Sequence, residues 1–428
     1  MARWNSFARG ATVIGVAALS LAACSTSGSE GGTSADPTTG GGTATGEGLK
    51  IGSLLPITGS LAFLGPPEIA GVDLAIKEIN EAGGVLGSDV TVQHEDSSDT
   101  ANPNITADSV NKLLSGGVSV VIGAASSSVT LNAIDDITNA GVVQISPANT
   151  ATSLTGYSPF YFRTAPPDTV QGNALGNLIV ADGVKNLGIL VFNDDYGTSL
   201  RDVVKETVEA EGVTVTYGDE GQEFDPNAAS FASDVQAILA TSPEAIALIA
   251  FDQTALIVPE LAAAGFDTSK LYFVDGNLAD YSEELEAGVL EGAKGTLPGA
   301  SPADDFRALL DSVADGGALT EYAYGAESYD AVMLAALAAV KGGATDGQTI
   351  ADNMAAVSGA TGGAECTGFA ECVEMIEAGE EITYVAVSGV GPFNESNDPS
   401  SAYIGVYAYG NDNTYSLLDT VYGEVPSE

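Results

Sequence analysis

The chain is predicted to fold as two α/β lobes built on parallel sheets, with a ligand cleft between them. Three observations carry this. From Leu49 onward, short apolar segments alternate with amphipathic ones at helical spacing, the pattern of βαβ units. The 380 residues from Leu49 to Glu428 exceed what a single hydrophobic core usually serves. The alternation also pauses and restarts, at Thr164-Ala165-Pro166-Pro167-Asp168 and again at Gly292 to Pro298.

In the first lobe, Lys50 to Leu55 reads as a strand. Ile69, Val72, Ile76 and Ile79 then recur at three- and four-residue steps, the stripe of a helix that Gly83-Gly84 stops. Val90 to His94 is a strand, Ile105 to Leu114 a helix after Pro103, and Val118 to Ile122 an apolar strand. Thr130 to Ala140 is helical and Val142 to Ile145 extended. The second lobe runs through helix Val170–Ala181, strand Leu187–Phe192, helix Tyr196–Glu211 and strand Val213–Tyr217. It continues with Phe231–Leu239, strand Ala245–Phe251, helix Ala255–Ala264 and strand Leu271–Val274. After the break at 292–298 the pattern is helical, over Ala303–Ala314, Ala326–Val340 and Thr349–Ala356. Those helices have no strands of their own, so they are expected to return and cover the first sheet. Thr383–Val387 and Tyr403–Tyr409 read as a late β pair around Gly391-Pro392-Phe393. The expected division is residues 49–165 with 298–382 in one lobe and 166–297 with 383–428 in the other, joined by several crossings. Ligands of open α/β sheets bind at the strand C-termini, here where the two lobes face each other.

Ahead of the lobes, Arg3 and Arg9 precede an apolar run from Ala11 to Ala23, which is the pattern of a secretory signal over residues 1–23. The run is too short for a membrane span of ~20 residues. Leu21-Ala22-Ala23-Cys24 resembles the lipobox of bacterial lipoproteins, which implies lipidation of Cys24 and a chain held at the outer face of the cell membrane by its lipid alone. Residues 24–48, rich in Ser, Gly and Thr, read as a flexible tether.

The charge balance narrows the partners. There are 58 acidic residues against 13 basic, a formal charge of −45, and only five arginines. Such a chain repels nucleic acid and anionic lipid surfaces. The acids are scattered, as on a solvated surface. His94 is the only histidine, and it falls on a predicted strand, which disfavours triad catalysis and histidine metal sites. No P-loop, Gly-x-Gly-x-x-Gly turn or Gly-x-Ser-x-Gly elbow occurs, so neither an enzyme nor a cofactor is expected. Glu95-Asp96-Ser97-Ser98-Asp99 lacks the Gly and distal Glu of a calcium loop and reads as helix-start capping. With Cys24 taken by lipid, Cys366 and Cys372 are expected to form a disulfide in an exported protein.

Two hydroxyl-rich loops are the candidate site. Gly123-Ala124-Ala125-Ser126-Ser127-Ser128 follows one strand and Ser146-Pro147-Ala148-Asn149-Thr150 the next. Free N–H groups at a strand-to-helix turn, with hydroxyls beside them, hold a carboxylate without arginine, although Ser and Thr also serve there simply as helix caps.

Gly59 to Asn80 with the following Gly-Gly, Ile122 to Ser128, Ser146 to Thr150, Asn193-Asp194-Asp195-Tyr196-Gly197 and Gly391-Pro392-Phe393-Asn394 resemble the leucine/isoleucine/valine-binding protein family. The resemblance implies the type I periplasmic-binding-protein fold and a monomeric substrate-binding protein of an ABC importer, delivering an apolar amino acid to a permease. By matched position it implies that Ser126 and Thr150 bind the ligand carboxylate and that Ala148 offers its carbonyl to the ammonium, with Asn149 in the same loop. It further implies that Asp275 pairs with the ammonium from the second lobe and that Tyr196 closes over the ligand. Leu64 and Phe251 stand where the family often has tyrosines, and Asp275 where a glutamate is familiar, so this pocket is drier and its acid shorter. Relatives also bind amides, short peptides and small aromatic acids, and a ligand-sensing receptor domain of the same fold is the alternative role.

Overall fold

A computed structural model describes residues 48–425. The expected signal segment, most of the tether and Cys24 lie outside the described residues. Strand β1 (Lys50–Leu55) leads into α1 (Gly65–Glu81), β2 (Thr91–Asp96), α2 (Pro103–Gly116), β3 (Val120–Gly123), α3 (Ser127–Asn139), β4 (Val143–Ser146) and β5 (Tyr161–Arg163). These strands form one all-parallel sheet in the order β2-β1-β3-β4-β5.

The chain then crosses to α4 (Asp168–Ala181), β6 (Asn186–Val191), α5 (Asp195–Ala210), β7 (Thr214–Tyr217), α6 (Ala232–Ala240), β8 (Ala245–Ile249), α7 (Thr254–Ala263), β9 (Leu271–Phe273) and β10 (Lys294–Pro298). It returns through α8 (Asp304–Val313), α9 (Gly325–Gly342), α10 (Gly347–Val357), β11 (Ala364–Cys366), α11 (Phe369–Glu377) and β12 (Ile382–Tyr384). A last crossing delivers β13 (Ser401–Tyr409) and β14 (Tyr415–Glu424) to the second sheet, whose order is β14-β13-β10-β9-β8-β6-β7. Only the β10–β13 and β13–β14 pairs are antiparallel.

Each lobe has its own core. In the first, α9 packs against α1, α10 and the sheet and is buried along Gly325–Ala339. A helix apolar on all sides belongs in such a place. Its close approach to α1 depends on Gly71, where a Cβ would collide with the Gly325 carbonyl. The late helices thus cover the first sheet, as their lack of partner strands required. In the second lobe Leu187, Ile189, Leu248, Ile249 and Phe273 fill the sheet's faces.

Three expectations are corrected. Residues 292–298 contain a full strand, β10, seated between β9 and β13, and its Gly and Pro content masks it. The late β pair does not form. Ile382–Tyr384 pairs with Ala364–Cys366, and Tyr403–Tyr409 pairs with β10 and β14. The cause is Asp330 of α9, which accepts from Tyr384 Oη at 2.7 Å, Val387 N at 3.0 Å and Ser388 N at 2.8 Å. That buried acid holds the segment on the first lobe. Phe393 also packs in the first core, so the return to the second lobe falls between Phe393 and Ser401 and not at 383.

Cys366 and Cys372 are joined by a disulfide, Cα–Cα 5.3 Å, which ties β11 to α11. At the last crossing Asp398 forms a two-pronged ion pair with Arg163 at the end of β5, with Nη2 to Oδ2 at 2.8 Å. Arg163 also donates to the Ala151 carbonyl at 2.9 Å and to Thr155 Oγ1 at 2.6 Å, and neither charged partner is exposed. Among the described residues no helix is long and apolar enough to cross a membrane.

Candidate functional site

The first lobe offers two loops at neighbouring strand ends. After β3, Ser126 caps α3 and accepts from Val129 N at 3.3 Å. After β4, Ser146 Oγ donates to the Ala124 carbonyl at 2.7 Å and accepts from Asn149 N at 2.9 Å. Asn149 Nδ2 donates to the Ala125 carbonyl at 2.7 Å, and its Oδ1 accepts from Tyr161 Oη at 2.9 Å. The loops are therefore braced against each other before any ligand arrives, which is the preorganisation a binding loop needs. Thr150 is fully buried; its hydroxyl lies toward the Asp168 carboxyl without a hydrogen bond of normal geometry, and its carbonyl accepts from Asp168 N at 2.7 Å.

The second lobe offers one acid held by three donors. Asp275 follows β9 and opens a single 3₁₀ turn. Its Oδ1 accepts from Tyr196 Oη at 2.6 Å and Gln171 Nε2 at 2.8 Å, and its Oδ2 from Tyr324 Oη at 2.8 Å. Asn277 fixes the turn, accepting from Val274 N at 2.9 Å and donating to the Leu248 carbonyl and Thr254 Oγ1, both at 3.0 Å. Tyr196, in the first turn of α5, stacks on Phe251 with ring centroids 5.6 Å apart. Tyr324 sits just before α9 at φ +60°, a left-handed conformation that a bulky residue seldom adopts. Its hydroxyl is what that strained backbone delivers to Asp275.

Leu64, Ser126, Ala148, Tyr196, Phe251 and Asp275 line one interlobe cavity together with Tyr324. Asn149 and Thr150 stand outside that lining; the first is spent on bracing the loops. In this closed arrangement the cavity is about 10 Å³, about enough for one water. A second opening of about 120 Å³, lined by Ser60, Asp99, Ser126, Asn227 and Asp252, runs alongside it and shares Leu61, Ser126 and Phe251.

Burial pushes the Asp275 carboxyl above its ordinary range, against the hydrogen bonds of Tyr196, Tyr324 and Gln171. A carboxylate has about four acceptor sites. Three are used here, so a donor from a ligand can still be accepted.

Sequence reading missed Gln171, Tyr324 and Asp168. Gln171 had a signal, since it lies beside Val170 and Leu175 on the buried side of α4. Tyr324 had none. Asp168 is fully buried, its carboxylate oxygens make no hydrogen bond of normal geometry, and its pKa is pushed up to about 7. Burial is the main cause and the Asp275 charge adds to it, with the Ser199 and Thr150 hydroxyls opposing. Between the unfolded value near 3.8 and about 7 the folded state keeps a proton that the unfolded chain has released. This group therefore lowers stability as pH rises through that window. Asp168→Asn should gain on the parent between pH ~4 and ~7, by on the order of a few kcal/mol, and run parallel above it. Urea unfolding of both proteins across that range checks this, and parallel profiles throughout would refute it.

His94 bridges Ser53 Oγ at 2.7 Å and Asp73 at 3.0 Å on the edge strand β2, away from the cleft-lining residues. Asp96 accepts from the backbone of Ile57, Thr58 and Ser98, so this acidic run braces a loop. Among the described residues no cluster of three or more His, Cys, Asp or Glu could hold a metal ion.

Comparison with known proteins gives a consistent picture. The family described as periplasmic binding protein matches residues 48–372. The chain is 37% identical over 171 residues to the leucine-, isoleucine-, valine-, threonine- and alanine-binding protein of Pseudomonas aeruginosa, covering 39% of this chain and 45% of that one. It is 30% identical over 318 residues to Leu/Ile/Val-binding protein homolog 1 of Brucella suis, covering 72% of this chain and 82% of the relative. The alignment thus spans less than half of the first relative and about four fifths of the second. In structure it is similar to the branched-chain amino acid transporter substrate binding protein LivJ from Streptococcus pneumoniae, solved with isoleucine. The TM-score is 0.71 at 22% identity, covering 89% of this chain and all of the other. At that identity the likeness speaks for the fold.

Proposed function

Because the chain belongs to the periplasmic binding protein family, we propose that it binds an apolar α-amino acid of the branched-chain kind between its lobes and delivers it to an ABC permease. The observation that carries this reading is the desolvated Asp275, facing the braced loops of Ser126 and Ala148 across a wall of Leu64 and Phe251. A zwitterion fits such a pair of ends. Its carboxylate meets the N–H groups and the Ser126 hydroxyl at the start of α3, where the helix dipole also favours negative charge. Its ammonium meets Asp275, and its side chain the apolar wall. Closing on the ligand is a shift between open and closed arrangements of the lobes. The Leu/Ile/Val-binding names of the relatives support the ligand class.

Such proteins often leave the cell with their ligand in place, so native mass spectrometry of the purified protein is the direct test. An added mass equal to a branched-chain amino acid supports the reading, and an added mass equal to a benzoate or an amide contradicts it.

The binding protein is held outside the cell by lipid on Cys24. Cys24→Ser should release it from membranes into the soluble fraction, because stable anchoring needs more than one acyl chain and no other attachment is proposed. Membrane partition that is unchanged in the variant would contradict the anchor.

A further inference from the structure

A further cavity, of about 470 Å³, shares Tyr324 with the cleft cavity and none of its other lining residues. It is walled by the end of β10 with Leu297 and Pro298, by Tyr407 and Tyr415 of the antiparallel strands, and by the stretch from Glu321 to Tyr324. Its size is that of a small-molecule site. Its chemistry is lopsided. Glu327 is only 3% exposed and lines this space, with one carboxylate oxygen lying against Gly299 in the wall between Pro298 and Ala300. Among the described residues no side-chain donor reaches that carboxylate; the one donor that favours its charged form is its own backbone N–H. Glu68, buried beside it, likewise has no partner among them for either oxygen. Glu321 is better served, accepting from Asp280 N at 2.9 Å and from Tyr415 Oη.

The cation in the lining is already engaged by neutral groups. Arg307 donates to the Pro302 carbonyl at 2.9 Å and to Ser301 Oγ at 2.8 Å, and lies over the Tyr322 ring at 5.1 Å. What the cavity lacks is a donor-bearing cation beside Glu327. Tyrosine faces suit a cation's hydrocarbon neighbour and its charge alike, and a carboxylate–ammonium hydrogen bond is of the strong, charge-assisted kind.

From this we infer a second ligand site, distinct from the interlobe cleft, that takes a primary ammonium on an aromatic or aliphatic body, with Glu327 as the ammonium partner. An anionic ligand lacks the charge-assisted bond to Glu327 that an ammonium makes. Burial holds Glu327 and Glu68 well above the usual carboxylate range, so an ammonium entering the site displaces a proton.

Calorimetric titration of the purified full chain with phenethylammonium tests this, with 2-phenylethanol and phenylacetate as uncharged and anionic controls. The wild type should bind phenethylammonium at least about tenfold more tightly than either control, a difference of about 1.4 kcal/mol. Its heats should differ between buffers of different ionisation enthalpy in the sense of proton release. Glu327→Gln should weaken binding by about tenfold or more. Ala300→Trp, which intrudes from the partly open rim, should do the same without touching the acid and serves if the glutamine variant folds poorly. Asp275→Asn, which removes the cleft's charge and keeps a hydrogen-bond partner for Tyr324, should leave phenethylammonium binding within about threefold. No binding up to about 10 mM, weaker than any useful site, would overturn the inference. So would binding unchanged by both Glu327→Gln and Ala300→Trp, or binding that Asp275→Asn abolishes, which would place the amine in the cleft.

Discussion

Replacing Asp275 with alanine should weaken amino-acid binding by about 30-fold or more. Truncating one member of a buried charge pair typically costs about 2–5 kcal/mol, and each 1.4 kcal/mol is tenfold in affinity. The effect is large because the ligand's ammonium would be closed into a space with no other assigned acid, while Tyr196 and Tyr324 would lose their shared acceptor. Ser126→Ala should cost less, on the order of 1–3 kcal/mol, because backbone donors at the start of α3 remain. Asp275→Asn separates charge from shape. Its amide oxygen still accepts from Tyr196 and its amide nitrogen can donate to the Tyr324 oxygen, so it should melt close to the parent yet bind poorly. Calorimetry with leucine on the three variants checks the ranking, and a serine variant weaker than the aspartate variant would reverse the assigned roles.

The largest expected loss of stability is at the last crossing. Asp398→Ala leaves the Arg163 guanidinium buried without its carboxylate, and breaking a buried pair in this way destabilises by about 3–5 kcal/mol. Thr155 and the Ala151 carbonyl would still accept from Arg163, which sets the loss at the lower end of that range. Replacing both partners by apolar residues of similar volume should cost much less than the single change. Denaturant unfolding of the single and double variants reads this directly; equal losses would show that the pair is not what anchors residues 394–400 to the first lobe.

Much of the fold was legible because its signals are local. Ile69, Val72, Ile76 and Ile79 repeat at helical spacing, and Val120–Gly123 is a buried apolar strand. The covering role of α9 followed from its having no strand to pair with. What escaped was decided at long range. The strand at Lys294–Pro298 carries Gly295 and Pro298 and exists because β9 and β13 accept it. Strand β14 is largely exposed, so no apolar alternation marks it. The fate of residues 382–388 is set by Asp330, more than 50 positions earlier.

The candidate site divides in the same way. Ser126, Ala148, Tyr196, Phe251, Asp275 and Leu64 came from matching positions in a known family, and they meet at one cavity. Asn149 sits behind it as a brace, a distinction that residue type alone does not make. Tyr324, which reaches Asp275 from a left-handed turn ahead of α9, lies 49 positions from it in sequence, in a stretch with no motif around it.

The central claim is that Asp275 recognises the ammonium of an amino acid. Calorimetry with leucine and with 4-methylpentanoate, the same skeleton without its amine, tests it on the parent and on Asp275→Ala. The account predicts that the parent prefers leucine by about 30-fold or more and that the variant has lost most of that preference, since the coupling between amine and acid is what the cycle isolates. Equal affinity of the parent for both compounds, or a preference for leucine that survives intact in Asp275→Ala, would contradict it.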